Sequence, residues 1–161
     1  MNNAEMYLAD TIELIQEVLN SGGEFRLYPR GTSMLPLIRE KKDSVLLKKR
    51  SDTENEPIKQ YEIAFYRRTN GDFVLHRVMK IESDGTYTMC GDHQLFLEKG
   101  IAQEQIVGYV SQIYKKEKPL PLTSVRYRIY LRLWTCMPIR KLIFFPKRVL
   151  SFIKRKFFGN K

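Results

Sequence analysis

Asn70-Gly71-Asp72-Phe73-Val74-Leu75-His76-Arg77-Val78-Met79-Lys80-Ile81-Glu82-Ser83-Asp84-Gly85 decides the fold class of this chain. Asn-Gly and Asp-Gly accept the positive φ angles of a tight hairpin turn. Between them runs a β-prone segment, Phe73 to Ile81, interrupted by one histidine, one arginine and one lysine. A strand with hairpin turns at both ends has antiparallel neighbours on both sides, so Tyr61 to Tyr66 and Thr86 to Cys90 are its expected partners. Further out, Ser44-Val45-Leu46-Leu47 reads as a short buried strand and Ile106-Val107-Gly108-Tyr109-Val110 as a closing one. The expected body is mainly antiparallel β.

The flanks differ in character. From Ala4 to Leu19, Leu8, Thr11, Ile12, Ile15, Val18 and Leu19 recur at helical spacing with acids on the other face, and Ser21-Gly22-Gly23 ends the helix. Lys48 to Pro57 is charged, without apolar period, and reads as an exposed loop. Pro119 and Pro121 mark a linker, beyond which Arg and Lys alternate with aromatic and aliphatic residues. Between Lys147 and Phe158 the apolar residues gather on one helical side and the cations on the other. The expected organisation is an N-terminal helix over 1–23, a β-rich domain over 24–115 and a basic amphipathic helical tail over 116–161.

Composition narrows the function classes. Of the 28 Lys and Arg and 18 Asp and Glu, residues 111–161 hold 14 cations and one acid, a balance of +13, so residues 1–110 carry 14 cations against 17 acids, or −3. The tail therefore seeks an acidic surface, and an anionic membrane is the expected partner, with no nucleic acid expected for the body. Cys90 and Cys136 stand far apart in no metal-ligand spacing, so neither a disulfide framework nor a metal site is expected. Acids within the first twenty residues exclude a secretory signal, and no apolar run reaches the roughly 18 residues that span a bilayer.

Two features bear on chemistry. Gly31-Thr32-Ser33-Met34-Leu35-Pro36 holds a serine between glycine and proline, either a turn residue or a nucleophile. His76 stands in the middle of an apolar strand, where imidazole is either a satisfied core residue or a general base of suitable pKa. A carboxylate that orients such an imidazole is expected downstream, and Asp92 lies in the loop after the hairpin partner of the His76 strand. His93, Cys90 and Lys80 are the weaker rivals, as base, nucleophile and alternative base respectively.

Read in order, Gly31 to Pro36, Asp43-Ser44-Val45-Leu46-Leu47, Tyr61-Glu62-Ile63-Ala64-Phe65, His76-Arg77-Val78, Gly91-Asp92 and Ile106 to Val110 resemble the catalytic core of the signal peptidase I family, within the S24/S26 group of serine peptidases. The resemblance covers roughly residues 25–112, and it implies a signal-peptidase/LexA-like antiparallel β core. Histidine followed by Arg-Val is similar to the histidine-base branch of endoplasmic reticulum, archaeal and sporulating-bacterial enzymes. The resemblance implies Ser33 as nucleophile and His76 as base. Asp92 is the favoured third member, with Glu98 as its rival where the branch carries a second aspartate. It also implies an oxyanion site at the Ser33 backbone N–H, with Gly31 and Thr32 beside it, and substrate contact at Met34 and Pro36. No cofactor is implied.

The expected function is thus a serine endopeptidase that removes a leader or signal segment from a peptide or precursor protein, cytoplasmic and peripheral on the inner membrane face. The alternative is a catalytically idle peptide-binding module, recruited to anionic lipid or nucleic acid by its tail. A self-cleaving DNA-binding repressor of the wider group is disfavoured, because only 32 residues precede Ser33.

Overall fold

The computed structural model describes residues 3–49 and 57–145, with the backbone alone for 3–10. Helix α1 (Asn3–Asn20) precedes strands β1 (Glu24–Leu27), β2 (Asp43–Lys48), β3 (Ile63–Arg67), β4 (Phe73–Ile81), β5 (Tyr87–Cys90), β6 (Glu98–Ile101), β7 (Ile106–Lys115) and β8 (Lys118–Leu120), and helix α2 (Val125–Thr135) follows. A further helical stretch covers 137–145. The strands form one antiparallel sheet in the order β1-β2-β7-β3-β4-β5-β6, with β8 paired to β7. The mainly β expectation holds, and the central hairpins form where the turn residues place them. Gly71 and Gly85 take φ of 93° and 83°, and Arg67 pairs with Phe73 while Ile81 pairs with Tyr87.

Three elements differ from the sequence reading. The strand expected to close the sheet instead occupies its centre and is longer: β7 pairs with β2 from Tyr109 to Lys115, with β8 from Ile113 to Lys115 and with β3 from Ile106 to Tyr109. Strand β6 lies on the edge, paired to β5 alone, and its Glu-Lys-Gly-Ile sequence has no alternation to reveal it. Strand β8 follows a turn in which Lys116 and Glu117 take φ of 49° and 69° without glycine, and its edge position tolerates Pro119. The expected linker is therefore partly sheet, and the chain divides into two compact units, Met1–Leu122 and Thr123–Lys161.

The first unit packs on both sheet faces. Residues opposite one another across antiparallel strands share a face, so the pair Ala64 and His76 lies with Tyr66, and the pair Phe65 and Leu75 lies on the reverse. The first face holds a core of Ile58, Ala64, Tyr66, Val78, Tyr87, Met89 and Ile101. Ile12, Ile15 and Leu19 of α1 are buried, each contributing on the order of 1.5–3 kcal/mol. At its C-terminus α1 ends in paired bonds, Gly22 N–H to Leu19 O and Gly23 N–H to Val18 O, with Gly22 left-handed at φ 80°. A Cβ on Gly108 of β7 would lie 3.0 Å from the Leu19 side chain and 2.9 Å from Lys48 O, so only glycine permits this approach of helix, strand and sheet.

In the second unit, Ser124 Oγ caps α2 by accepting the Tyr127 N–H. Tyr127, Tyr130 and Trp134 stack in series at centroid separations of 6.2 and 5.2 Å. Arg140 is buried and donates to the Trp134 carbonyl. The amphipathic segment Lys147 to Phe158 lies outside the described residues. Among those described, no helix is long and apolar enough to cross a membrane.

Candidate active site

His76 is 1% exposed in the middle of β4, and its Nδ1 meets two oxygens: Tyr66 Oη at 3.2 Å and Glu98 Oε1 at 3.2 Å. Tyr66 already donates its hydroxyl proton to Glu98 Oε2 at 2.9 Å. Both oxygens facing Nδ1 are therefore acceptors, so Nδ1 carries the ring proton and Nε2 keeps its lone pair. Arg68 completes the arrangement, donating through Nε to Glu98 Oε2 at 2.8 Å and through Nη2 to Oε1.

The charges follow from burial and partners. Burial pushes the His76 imidazole below its ordinary value of 6.5, with the Glu98 charge opposing and the Arg68 charge adding to the shift. Glu98 is also disfavoured by burial, yet the bonds from Arg68 and Tyr66 prevail and hold it below the ordinary carboxylate value. Burial and the neighbouring carboxylate raise the Tyr66 phenol far above its usual range, so it stays a donor. Near neutral pH the set is a neutral imidazole with a free Nε2, backed by a carboxylate.

Asp92 does not belong to this set, which corrects the favoured assignment. Its carboxylate is gripped by Arg77, Nε to Oδ1 at 2.8 Å and Nη2 to Oδ2 at 2.7 Å. Arg77 and His76 are adjacent in an extended strand and point to opposite faces, so the acid held by one cannot also sit on Nδ1 of the other. Its charge still reaches His76 and favours the cation. Glu98, the rival, is the carboxylate in contact with the imidazole.

Ser33 is half-buried in the loop after β1. Its carbonyl accepts the His93 N–H at 2.7 Å, and a Cβ on Gly91 would lie 2.7 Å from that carbonyl. Arg77, next to His76 in β4, pairs with Cys90, the last residue of β5 and the one before Gly91. The Ser33 loop is thereby anchored at the end of β5 next to the histidine. No hydrogen bond joins the Ser33 hydroxyl to His76, and among the described residues neither the hydroxyl nor the amide of Ser33 has a protein partner. Gly31 takes φ of 88° and Thr32 is exposed. Met34 is buried and lines a cavity beside Ser33, which Pro36 does not.

The rivals have other occupations. Lys80 is exposed and paired to Glu82. The Cys90 thiol is buried against carbonyls, nearest Phe96 O at 3.2 Å. His93 contributes its backbone N–H to Ser33. Sequence reasoning missed Tyr66 and Arg68, although Ala64, Tyr66 and Arg68 alternate on the face shared with His76. The loop from Leu37 to Asp43 is braced separately: Arg39 and Lys115 both bond the buried Asp43 carboxylate, and Lys115 also donates to Leu37 O. In comparisons with known proteins, no family model matches this chain and no characterised protein matches it.

Proposed function

We propose that the chain is a serine endopeptidase of signal-peptidase type, with the corresponding LexA-like β core, that cuts a leader or signal segment from a peptide or precursor protein. The observation that carries this reading is the buried His76 whose Nδ1 is fixed by Glu98 and Tyr66, in the strand whose β5 partner ends where the Ser33 carbonyl is anchored. In the proposed reaction Ser33 Oγ attacks the scissile carbonyl carbon as His76 Nε2 takes the hydroxyl proton. Glu98 stabilises the resulting imidazolium. The Ser33 amide, with the Gly31-Thr32 side of the loop, donates to the oxyanion. Collapse breaks the C–N bond, and the leaving amine receives the proton from Nε2. Water then repeats the sequence, its proton going to Nε2 and finally back to Oγ, releasing the acid product. A shift of the side chains to bring Oγ within hydrogen-bond reach of Nε2 belongs to substrate binding.

The basic segment from residue 111 onward supports peripheral attachment to an anionic, inner membrane face, each cation near the surface adding about 1 kcal/mol. Release from membranes by high-salt washing is the expected behaviour; a requirement for detergent would defeat this part. For catalysis, the test is labelling of the full chain by a fluorophosphonate, with the adduct mapped to Ser33 and lost in Ser33→Ala and His76→Ala proteins whose circular dichroism is unchanged. No labelling at any pH, with peptide binding retained, would instead favour the idle peptide-binding module.

A further inference from the structure

A cavity of about 560 Å³ opens beside Ser33 on the sheet face opposite His76. Its floor is Phe65, Phe73 and Leu75, and Met34 lies next to the serine. Its far wall is α1, through Ile12 and Ile15. Among the described residues, Arg30 and Glu40 are the charged ones that line it. The helix is a fixed wall: the paired bonds at Gly22 and Gly23 set its end, and the contact of Leu19 with Gly108 presses it on the sheet.

We propose that this chamber is the specificity subsite for a bulky apolar side chain, such as leucine or phenylalanine, of the peptide to be cut, and that α1 is part of that subsite. The proposal rests on Ser33 as nucleophile, since Ser33 on its rim is what ties the chamber to a scissile bond. Its volume falls in the range of small-molecule pockets, roughly 300–1,000 Å³. A methyl group would leave most of the apolar wall without contact, whereas a branched or aromatic side chain fills it. A charged side chain would lose its hydration there for little return, because Arg30 and Glu40 offer one charge of each sign.

The test is protection of Ser33 from a fluorophosphonate by N-acetyl tetrapeptide aldehydes identical except for a C-terminal alanine, leucine or phenylalanine residue. Leucine or phenylalanine is expected to protect at a concentration at least about 10-fold lower than alanine, the discrimination that a single methylene earns in an apolar pocket. Ile12→Trp, which fills the chamber from α1, is expected to erase that advantage. Equal or better protection by alanine overturns the proposal and leaves the peptidase reading standing. A second measurement is independent of reactivity: methyl NMR of Ser33→Ala protein titrated with the matching peptide amides. Shifts at Ile12, Ile15, Met34 and Leu75 with the leucine amide, and none with the alanine amide, support selection of a bulky side chain by the chamber; with no fluorophosphonate labelling beside them, the chamber remains a peptide-binding pocket and the peptidase reading alone falls. No shift at these residues with any of the amides overturns the proposal.

Discussion

Glu98 reaches His76 Nδ1 at 3.2 Å while Asp92, the acid nearer in sequence, is closed by Arg77 at 2.7 and 2.8 Å with both side chains 0% exposed. The two carboxylates therefore have separable tasks. In the proposed mechanism Glu98→Gln removes the charge that stabilises the imidazolium, and kcat/KM is expected to fall about 10²–10⁴-fold, the usual contribution of general acid–base catalysis. Asp92→Asn leaves a buried guanidinium without its counter-charge, at about 3–5 kcal/mol, so the melting temperature is expected to drop on the order of 10 °C. Calorimetry beside peptide hydrolysis distinguishes them. Loss of activity in Asp92→Asn at full stability, with little loss in Glu98→Gln, would reverse the assignment.

The pH dependence has a definite sign. Because the His76 pKa is depressed, the imidazole remains an active base below 6.5, and kcat/KM should fall on an acid limb centred under that value. The same shift bears on stability: the unfolded state takes up the proton first, so the His76 contribution favours folding above pH 6.5 and is lost as pH falls from there through the folded value. A pH–rate profile measures the first and urea denaturation across the same range the second. An acid limb at or above 6.5 would contradict the burial argument.

Gly91 tests how the nucleophile is held. A methyl group there would come within 2.7 Å of Ser33 O and 2.8 Å of the Gln94 side chain, distances that real contacts do not sustain. In Gly91→Ala the Ser33 backbone must shift, and the fluorophosphonate labelling rate is expected to fall at least about 10-fold, since misplacement of a reacting group by an ångström costs far more than that. Unchanged labelling kinetics would show that this contact does not locate the serine.

Asp43 offers a stability measurement separate from catalysis. Burial opposes its ionisation, but bonds from Arg39 and Lys115 hold its pKa well below the ordinary 3.8. Its contribution is therefore present above pH 3.8 and is lost as pH falls through the folded value. Asp43→Ala is expected to cost about 2–3 kcal/mol at pH 7, the range for a lost hydrogen bond to a charged group, and less at pH 3. Urea midpoints of the two proteins at both pH values check this; an equal cost at both would deny the ionic character of the brace.

Turn chemistry and alternation made the central hairpins legible, because Asn70-Gly71 and Asp84-Gly85 specify backbone angles locally and Phe73 to Ile81 has few other conformations open to it. Helix α1 was legible for the same reason, its period and its glycine terminus being local properties. Strands β6 and β8 were not, since an edge strand needs only backbone groups to pair and so leaves no apolar pattern. The central position of β7 was hidden too, because lateral order in a sheet depends on chain-distant partners.

The sequence by itself determined a mainly antiparallel β body with an N-terminal helix, and it singled out Ser33 and His76 by residue type and context. Tertiary structure alone decided which acid contacts His76, because that depends on sheet faces: β6 carries Glu98 to the face of Tyr66 and His76, and β4 turns Arg77 to the other, where it takes Asp92. A carboxylate stabilises an imidazolium from a few ångströms away, and distances on that scale are set by strand register rather than by separation along the chain.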